Sequence, residues 1–380
     1  MGSLNPVQAD RDRDGAVVHV DAGPFSYSRL TGLSRYTAQL TLALASRAPI
    51  RFFCEGFELL APADLDWSRD QDLAKWSRRV WRSQRRPLGE PEAGSLGLYC
   101  TLRPPGRTFP FEASVLHDFS PYTVPATHLE STRKMFGGFF AQTLLCSDVA
   151  IAVSHSTKAD AAWLSPYDPD RIVVAHSGPS LCVDRHLHPK PVARRPNVGL
   201  VVSTLEPRKN ARFLMDWFRD SPALPRDSEL WWVGPLGWMT SRRELRRLGA
   251  SADGRRIRFL GVVSDKQLCR LYRTAGWSIY PSLYEGFGFP VLDSLRHGTP
   301  VLASGNSSIR EFDSAGLHLF DPCDASTVDD AWRALQASGP VEIPRGPLDR
   351  LYSWDNVADR LLEAHRRSRG IDGARSSLAA

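Results

Sequence analysis

The sequence contains few of the features that mark a secreted, membrane-spanning or zinc-binding protein. Its six cysteines are scattered over 380 residues, with no Cys-x-x-Cys pair and no zinc-like spacing to histidine. Reduced thiols in a cytoplasmic protein are therefore expected. The polar stretch MGSLNPVQADRDRDG at the start lacks the apolar segment of a signal peptide. Because no eighteen apolar residues run together, no membrane-spanning helix is expected, although attachment to the inner face of a membrane stays open.

The charge balance gives no sign of a nucleic-acid partner. The chain has 48 lysines and arginines against 42 aspartates and glutamates, a formal net charge of +6. This mild excess helps an acidic ligand to approach, but it does not indicate nucleic acid. With 42% hydrophobic and 24% charged residues, the composition is typical of a globular protein, and the length allows two domains with separate cores.

Apolar strand segments alternate with helical patterns along most of the chain. This alternation predicts an α/β fold with two doubly wound, Rossmann-like domains. In such sheets ligands bind beyond the carboxyl ends of the strands, so the cleft between the domains is the expected site. We assign residues 1–184 to an N-terminal domain, the proline- and charge-rich 185–197 to a linker, 198–350 to a C-terminal domain, and 351–380 to a closing helix that crosses back.

A glycine-rich turn with two acids lies in YPSLYEGFGFPVLDSLRHG (280–298). Gly286 and Gly288 let the backbone approach a ligand closely, and the start of the following helix suits a phosphate. Glu285 and Asp293 accept hydrogen bonds, so their expected partners are hydroxyl groups. A ligand with phosphate in the middle and a hydroxyl-bearing ring at each end is a nucleotide-sugar. The alternative is a glycine loop that caps a helix, with two solvated acids.

Two adjacent basic residues follow the first strand of the second series, in STLEPRKNARFL (203–214). Arg208 and Lys209 come just before a helix whose expected cap is Asn210. A guanidinium and an ammonium group together can neutralise a diphosphate and stabilise it as it leaves. An ordinary surface loop with two basic residues is an equally good interpretation of this stretch alone.

Taken together, these motifs resemble family 4 retaining glycosyltransferases, which have the GT-B fold. The resemblance covers nearly the whole chain, with its motifs in the family's order. In the second half it is carried by TLEPRKN, FLGVVSDKQLCRLYRTA and YPSLYEGFGFPVLDSLRHGTPVLAS. In the first half and at the end it is carried by SRLTGLSRYTAQL (28–40), VLHDFSP (115–121), AIAVSHSTKAD (150–160) and YSWDNVADRLLEAH (352–365).

The resemblance implies roles for particular residues. Arg208 and Lys209 would hold the donor diphosphate, and Glu285 and His117 would contact the donor sugar. The position of the family's second glutamate is occupied here by Asp293, whose side chain is one methylene shorter. Asp293 would therefore bind the ribose more weakly than a glutamate would.

Further roles follow from the same resemblance, some of them left open. Asp118 could orient His117, cap the next turn or contact the acceptor. Arg35 is a further candidate acceptor or orienting residue. The remaining donor-site positions are Gly32 near the phosphate, Val263 near the base, and Gly286, Phe287, Gly288 and Phe289 in the glycine loop.

The resemblance also implies a reaction. A hexose, in the first place mannose from GDP-mannose, would move to a hydroxyl of a saccharide or lipid-linked saccharide acceptor, as in bacterial surface-polysaccharide or O-antigen assembly. Neither a metal nor another cofactor is expected, since two basic residues neutralise the diphosphate. Rhamnosyl, fucosyl, glucosyl or N-acetylglucosaminyl transfer, a UDP-sugar epimerase of GT-B fold, and a non-catalytic binding homologue are the alternatives.

One stretch, DLAKWSRRVWRSQRRPL (72–88), combines tryptophan with arginine. If it is helical, Leu73, Trp76 and Val80 form one apolar stripe, with arginines on the other faces. Such a helix is typical of contact with anionic lipid. The preferred interpretation is that the stripe packs on the first domain's sheet while the arginines are solvated, and lipid contact is the competing hypothesis.

Overall fold

A computed structural model of the protein describes residues 16–27, 30–67, 72–103, 105–180, 192–238, 256–339 and 342–369. The polar N-terminal stretch and residues 185–191 of the expected linker lie outside the described residues. The chain divides into two compact units. The first comprises Met1–His117, Met135–Ser180 and Leu351–Ala380, and the second comprises Asp118–Lys134 and Leu181–Arg350.

These units differ in two places from the domains expected from the sequence. Residues 118–134, expected in the N-terminal domain, belong to the second unit. Strand β9, defined below, begins at Arg195, so the last three residues of the expected linker are already in a strand.

The first unit contains a mixed sheet in the order β4-β3-β2-β1-β5-β6-β7-β8. Neighbours are parallel except at the β2–β3 and β3–β4 edges, which are antiparallel. The strands are β1 Val18–Asp21, β2 Ile50–Cys54, β3 Phe57–Leu60, β4 Gln84–Pro87, β5 Leu96–Tyr99, β6 Phe111–Leu116, β7 Val149–Ala152 and β8 Ile172–Val174.

The antiparallel edge was not expected from the sequence. Its turn consists of Glu55 and Gly56, with φ values of 50° and 80°. Two consecutive positive φ angles match the tight turn that favours the right-handed twist of a hairpin. The Glu-Gly pair between the apolar runs RFFC and FELL was therefore a readable hairpin signal.

The helices of the first unit include the last helix of the chain. The last helix, Trp354–Ser368, packs on the helix Gly32–Ala45, and Arg47 forms ion pairs there with Asp355 at 2.9 Å and Asp359 at 2.6 Å. Trp354 donates from Nε1 to the Pro179 carbonyl at 2.9 Å. The helices of this unit are α1 Gly32–Ala45, α2 Leu73–Trp81, α4 His155–Leu164 and α10 Trp354–Ser368. The helix α3, Glu130–Leu145, begins in the second unit and ends in the first.

The stripe on α2 is part of the core. Leu73, Trp76 and Val80 are buried, and the indole of Trp76 packs against Phe25 and Phe52. The helix ends at Trp81, before the exposed edge strand β4. The arginines of this segment remain on the surface, so membrane contact through residues 72–88 stays a prediction. No helix of the described residues has the length and apolar character to cross a membrane.

The second unit contains a parallel sheet in the order β11-β10-β9-β12-β13-β14. Its strands are β9 Arg195–Val202, β10 Glu229–Val233, β11 Arg256–Gly261, β12 Ala275–Tyr280, β13 Val301–Ser304 and β14 Leu317–Phe320. Its described helices are α5 Ala211–Asp220, α6 Asp265–Thr274, α7 Phe289–Arg296 and α8 Ala325–Ala337, and α9 Arg345–Leu351 ends at the unit's boundary. Because all strands are parallel, their carboxyl ends meet at one edge, where the loops after β9, β12 and β13 come together.

Candidate active site

Arg208 and Lys209 form a short 3-10 helix with Pro207 at the carboxyl end of β9. Asn210 follows in the left-handed conformation, with φ 54°, and α5 begins after it. Asn210 occupies the expected N-cap position of α5, but its side chain makes no capping hydrogen bond there; its Nδ2 donates instead to the carbonyl of Pro322 at 2.8 Å. Asn210 therefore turns the chain and fastens this loop to another.

The structure brings three predicted residues together in one ion-pair cluster. Nζ of Lys209 lies 2.6 Å from Oε1 of Glu285, and Nη1 of Arg208 lies 3.2 Å from Oε2. Arg208 also donates from Nη1 to the carbonyl of Tyr284 at 2.9 Å, and its carbonyl accepts from the Leu283 N–H at 2.9 Å. The loops after β9 and β12 are thus locked to each other at the site.

Three serines hold Glu285 in place. The Ser282 hydroxyl donates to Oε1 at 2.6 Å, and the Glu285 N–H donates to Oγ of Ser307 at 3.0 Å. The Ser308 hydroxyl donates to the Glu285 carbonyl at 2.9 Å. Two of these serines belong to the loop after β13, which the sequence analysis did not assign to the site. A carboxylate with this many fixed partners is oriented before any ligand arrives.

The oppositely charged side chains of the cluster stabilise one another in their ionised forms. Burial alone would raise the pKa of Glu285, but Lys209 and Arg208, together with the hydrogen bonds from Lys209 and Ser282, lower it to about 2. Burial likewise opposes the charge on Arg208, but Glu285, Asp118 and Glu206 raise its pKa above the usual value. At neutral pH the cluster is therefore ionised.

A pocket opens on this cluster within the second unit. Its lining residues include Ser203, Lys209, Ser282, Glu285 and Gly288. Gly288 is the N-cap of α7 with φ 98°, and a Cβ at this position would meet Cδ1 of Ile309 at 2.5 Å. Only glycine fits both the backbone conformation and the space.

Asp293 lies deeper than the cluster. It is 2% exposed, and it is absent from the described lining of the pocket. Burial raises the pKa values of Tyr272 and Tyr280, and the Asp293 carboxylate raises both further, so it lies near both phenols. The predicted ribose contact stays a prediction.

Asp293→Glu is expected to retain or improve nucleotide affinity, because the longer carboxylate reaches further towards a ribose. Titration calorimetry of both proteins with GDP checks this. A large loss of affinity would mean that the helix has packed around the shorter acid.

Asp118 caps the turn that follows it. Its Oδ1 accepts from the Ser120 N–H at 2.9 Å and from the Ser120 hydroxyl at 2.6 Å. It also contributes to the raised pKa of Arg208, so its charge acts on the cluster.

The segment after Asp118 makes a further contact within the second unit. Nε1 of Trp238 donates to the Thr127 carbonyl at 2.9 Å. No motif had indicated this contact.

The other predicted residues fall in two groups. In the first unit, Nε2 of His117 lies 2.9 Å from the Cys100 carbonyl, and Arg35 donates to the Ser180 carbonyl at 3.5 Å. Gly32 is the first residue of α1, with open space where a Cβ would stand.

In the second unit, the remaining predicted donor-site residues are those of the glycine loop and Val263. Phe287 packs against Phe289 and Phe312, with ring centroids 5.2 and 5.4 Å apart, and Gly286 is buried beside it. Val263 packs on a core cluster that includes Tyr272. Among the described residues no group of three or more His, Cys, Asp or Glu side chains could hold a metal ion.

Comparisons with known proteins agree with this geometry. Residues 196–337 match the family model described as "Glycosyl transferases group 1". The O-antigen chain mannosyltransferase B of Escherichia coli is 27% identical over 284 residues, which is 67% of this chain and 69% of that protein. A serotype-specific mannosyltransferase of Escherichia coli is 26% identical over 183 residues, 44% of this chain but only 21% of that protein.

A solved structure shows the same fold at low identity. HepE from Anabaena, in complex with UDP and glucose, matches with a TM-score of 0.62 and 14% identity, covering 91% of this chain and 98% of that one. Residues 196–337 are therefore similar to the group 1 glycosyltransferases, and the chain has the GT-B fold. The predicted fold class and the resemblance to the mannosyltransferase-like family are confirmed.

Proposed function

We propose that this glycosyltransferase moves mannose from GDP-mannose to a hydroxyl of a saccharide or lipid-linked saccharide acceptor, with retention of the anomeric configuration. The observation that carries the proposal is the ion-pair cluster of Arg208, Lys209 and Glu285, of which Lys209 and Glu285 line one pocket. Two cations suit a diphosphate and the carboxylate suits sugar hydroxyls. The name of the O-antigen mannosyltransferase relative supports mannose as the sugar.

The proposed mechanism stabilises the leaving group. As the glycosidic bond breaks, negative charge grows on the departing diphosphate, and the positive charges of Arg208 and Lys209 would offset it. Glu285 orients the sugar, and its fixed partners limit its movement. The acceptor attacks on the face from which the diphosphate leaves, and the diphosphate takes the acceptor's proton. No metal is needed on this route, because the two side chains carry the positive charge.

A thermal-shift panel of GDP, UDP, dTDP and their sugars tests the donor, since a ligand that binds only the folded protein raises Tm. We expect GDP and GDP-mannose to give the largest rises, and Arg208→Ala to reduce these rises without removing them. A transfer assay with GDP-mannose and a panel of saccharide acceptors then tests the reaction, with and without EDTA.

Each other result points to a different function. Preference for UDP or dTDP would exclude GDP-mannose as the donor. Interconversion of UDP-sugars without acceptor would indicate an epimerase, and binding without turnover on every acceptor would indicate a non-catalytic homologue.

A further inference from the structure

A second buried carboxylate holds Arg208 from the side away from Glu285. Glu206 is 4% exposed, and its Oε1 accepts from Nη2 of Arg208 at 3.1 Å, whereas Nη1 points to Glu285 and the Tyr284 carbonyl. Glu206 also packs against the loop after β10, where a Cβ on Gly237 would meet the Glu206 Cβ at 3.2 Å. Both branches of the guanidinium are therefore fixed.

This arrangement contains more negative than positive charge. Arg208 and Lys209 face Glu206 and Glu285, and Asp118 also acts on Arg208. Two positive charges thus meet three negative charges before any ligand arrives. Arg208 also acts on His128, whose pKa is lowered by burial first and then by Arg208.

A diphosphate diester brings two further negative charges into this partly buried site. Coulomb repulsion between a buried carboxylate and a phosphate a few ångströms away is weakly screened there. One carboxylate can relieve the repulsion by taking a proton. Burial raises the pKa of Glu206, although Arg208 and Lys209 oppose the rise, whereas the pKa of Glu285 is strongly lowered. Of the two carboxylates that are ion-paired with Arg208, Glu206 therefore accepts a proton at the smaller cost.

We propose that Glu206 is a positioning residue for Arg208 and takes up one proton when the nucleoside diphosphate sugar binds. The proposal rests on the proposed function, in which Arg208 and Lys209 hold the diphosphate. A protonated carboxyl keeps an oxygen that accepts from Arg208, so the guanidinium stays in place while its charge becomes available to the phosphate. Its O–H becomes a donor for a phosphate oxygen.

The sign of the pH dependence follows from the proton uptake. Because the Glu206 pKa is higher in the complex than in the free protein, the donor binds most tightly below the free pKa. The Kd then rises by up to about tenfold per pH unit, and it levels off above the pKa of the complex.

Titration calorimetry of the whole chain with GDP-mannose between pH 6 and 8.5 tests the proposal, with UDP-glucose as the probe if the panel favours UDP. The phosphates of both probes are diesters and stay fully ionised in this range. Two buffers of different ionisation enthalpy report the protons bound per nucleotide-sugar, and we expect about one at the pH of steepest change.

The variant Glu206→Gln imitates the protonated carboxyl. We expect it to bind the donor more tightly than the wild type at pH 8, with a flat pH profile and with Arg208 still in place for turnover. Glu229→Gln is the matched control, because Glu229 is also buried and paired with an arginine, Arg258, but begins β10 at the opposite end of the sheet. The control is expected to keep the wild-type pH slope.

The outcomes separate this inference from the proposed function. If no nucleotide-sugar binds the wild type at pH 6, the proposed function fails. If the wild type binds at every pH without proton uptake, or if Glu206→Gln weakens binding and leaves the slope unchanged, the role of Glu206 is refuted. If the pH dependence of Kd persists in Glu206→Gln but disappears in His128→Gln, the proton is taken up by His128. The buffer comparison needs no variant, so a misfolded Glu206→Gln protein leaves the test intact.

Discussion

Arg208→Ala and Lys209→Ala are each expected to lower turnover at least about 100-fold. The physical reason is the loss of one of the two positive charges that we propose to hold the leaving diphosphate in a partly buried site, where such contacts contribute on the order of 3 kcal/mol to the transition state. Turnover with GDP-mannose at saturating donor measures the effect. The loss should appear in kcat, because the charge on the diphosphate grows as the bond breaks.

Two controls make this prediction specific. Arg208→Lys keeps a charge but loses the two-branched contact with Glu206 and Glu285, so it should recover part of the activity. Arg219→Ala, on the surface of α5 beside Asp216 and Asp220, should leave turnover unchanged. Near-normal turnover in both Arg208→Ala and Lys209→Ala would remove the diphosphate from this cluster.

Glu112→Ala in the first unit is expected to lower the free energy of unfolding by about 3–5 kcal/mol, because it leaves a buried arginine without its partner. Arg103 is 2% exposed, and its Nη1 lies 2.7 Å from Oε2 of Glu112. The Glu112 carboxylate also accepts from the N–H groups of Thr108 at 2.7 Å and Phe109 at 3.1 Å. Denaturant unfolding of the wild type and the variant measures the difference.

An exposed pair on α3 provides the comparison. Glu130 and Lys134 form an ion pair at 2.7 Å with side chains 69% and 77% exposed, so Glu130→Ala should cost no more than about 0.5 kcal/mol. A loss below about 1 kcal/mol for Glu112→Ala would mean that water or a rearranged loop takes over the Arg103 charge.

The sequence predicted the strands of the parallel sheets well because a strand buried on both faces is a short, nearly continuous apolar run. The runs of β7, β10 and β13 are of this kind, and β7 is followed directly by the helix α4. The strand β4, QRRP, escaped prediction because it is an exposed edge strand without any apolar pattern. Its place in the sheet depends on pairing with β3, which no local pattern encodes.

Some residues of the candidate site could likewise be predicted from the sequence, and others could not. Arg208, Lys209 and Glu285 could be predicted because parallel strands bring the loops after β9 and β12 to one edge. Ser307 was missed because it reaches Glu285 from the loop after β13, with φ 42°, and nothing in the segment GNSSIRE points to a partner 22 residues earlier. Glu206 is part of the motif TLEPRKN. Its role depends on its burial, however, which the sequence does not show.

The last helix has a consequence for how the chain is made. Val357 and Leu361 of α10 are fully buried in the first unit, most of which precedes residue 181. During synthesis this unit lacks part of its apolar interior until the second unit has been translated. Although N-terminal domains usually fold first during synthesis, the first unit therefore cannot complete its core before the second unit has been made. A ribosome stalled before residue 354 would present a first unit with an open hydrophobic face, which is a substrate for chaperones.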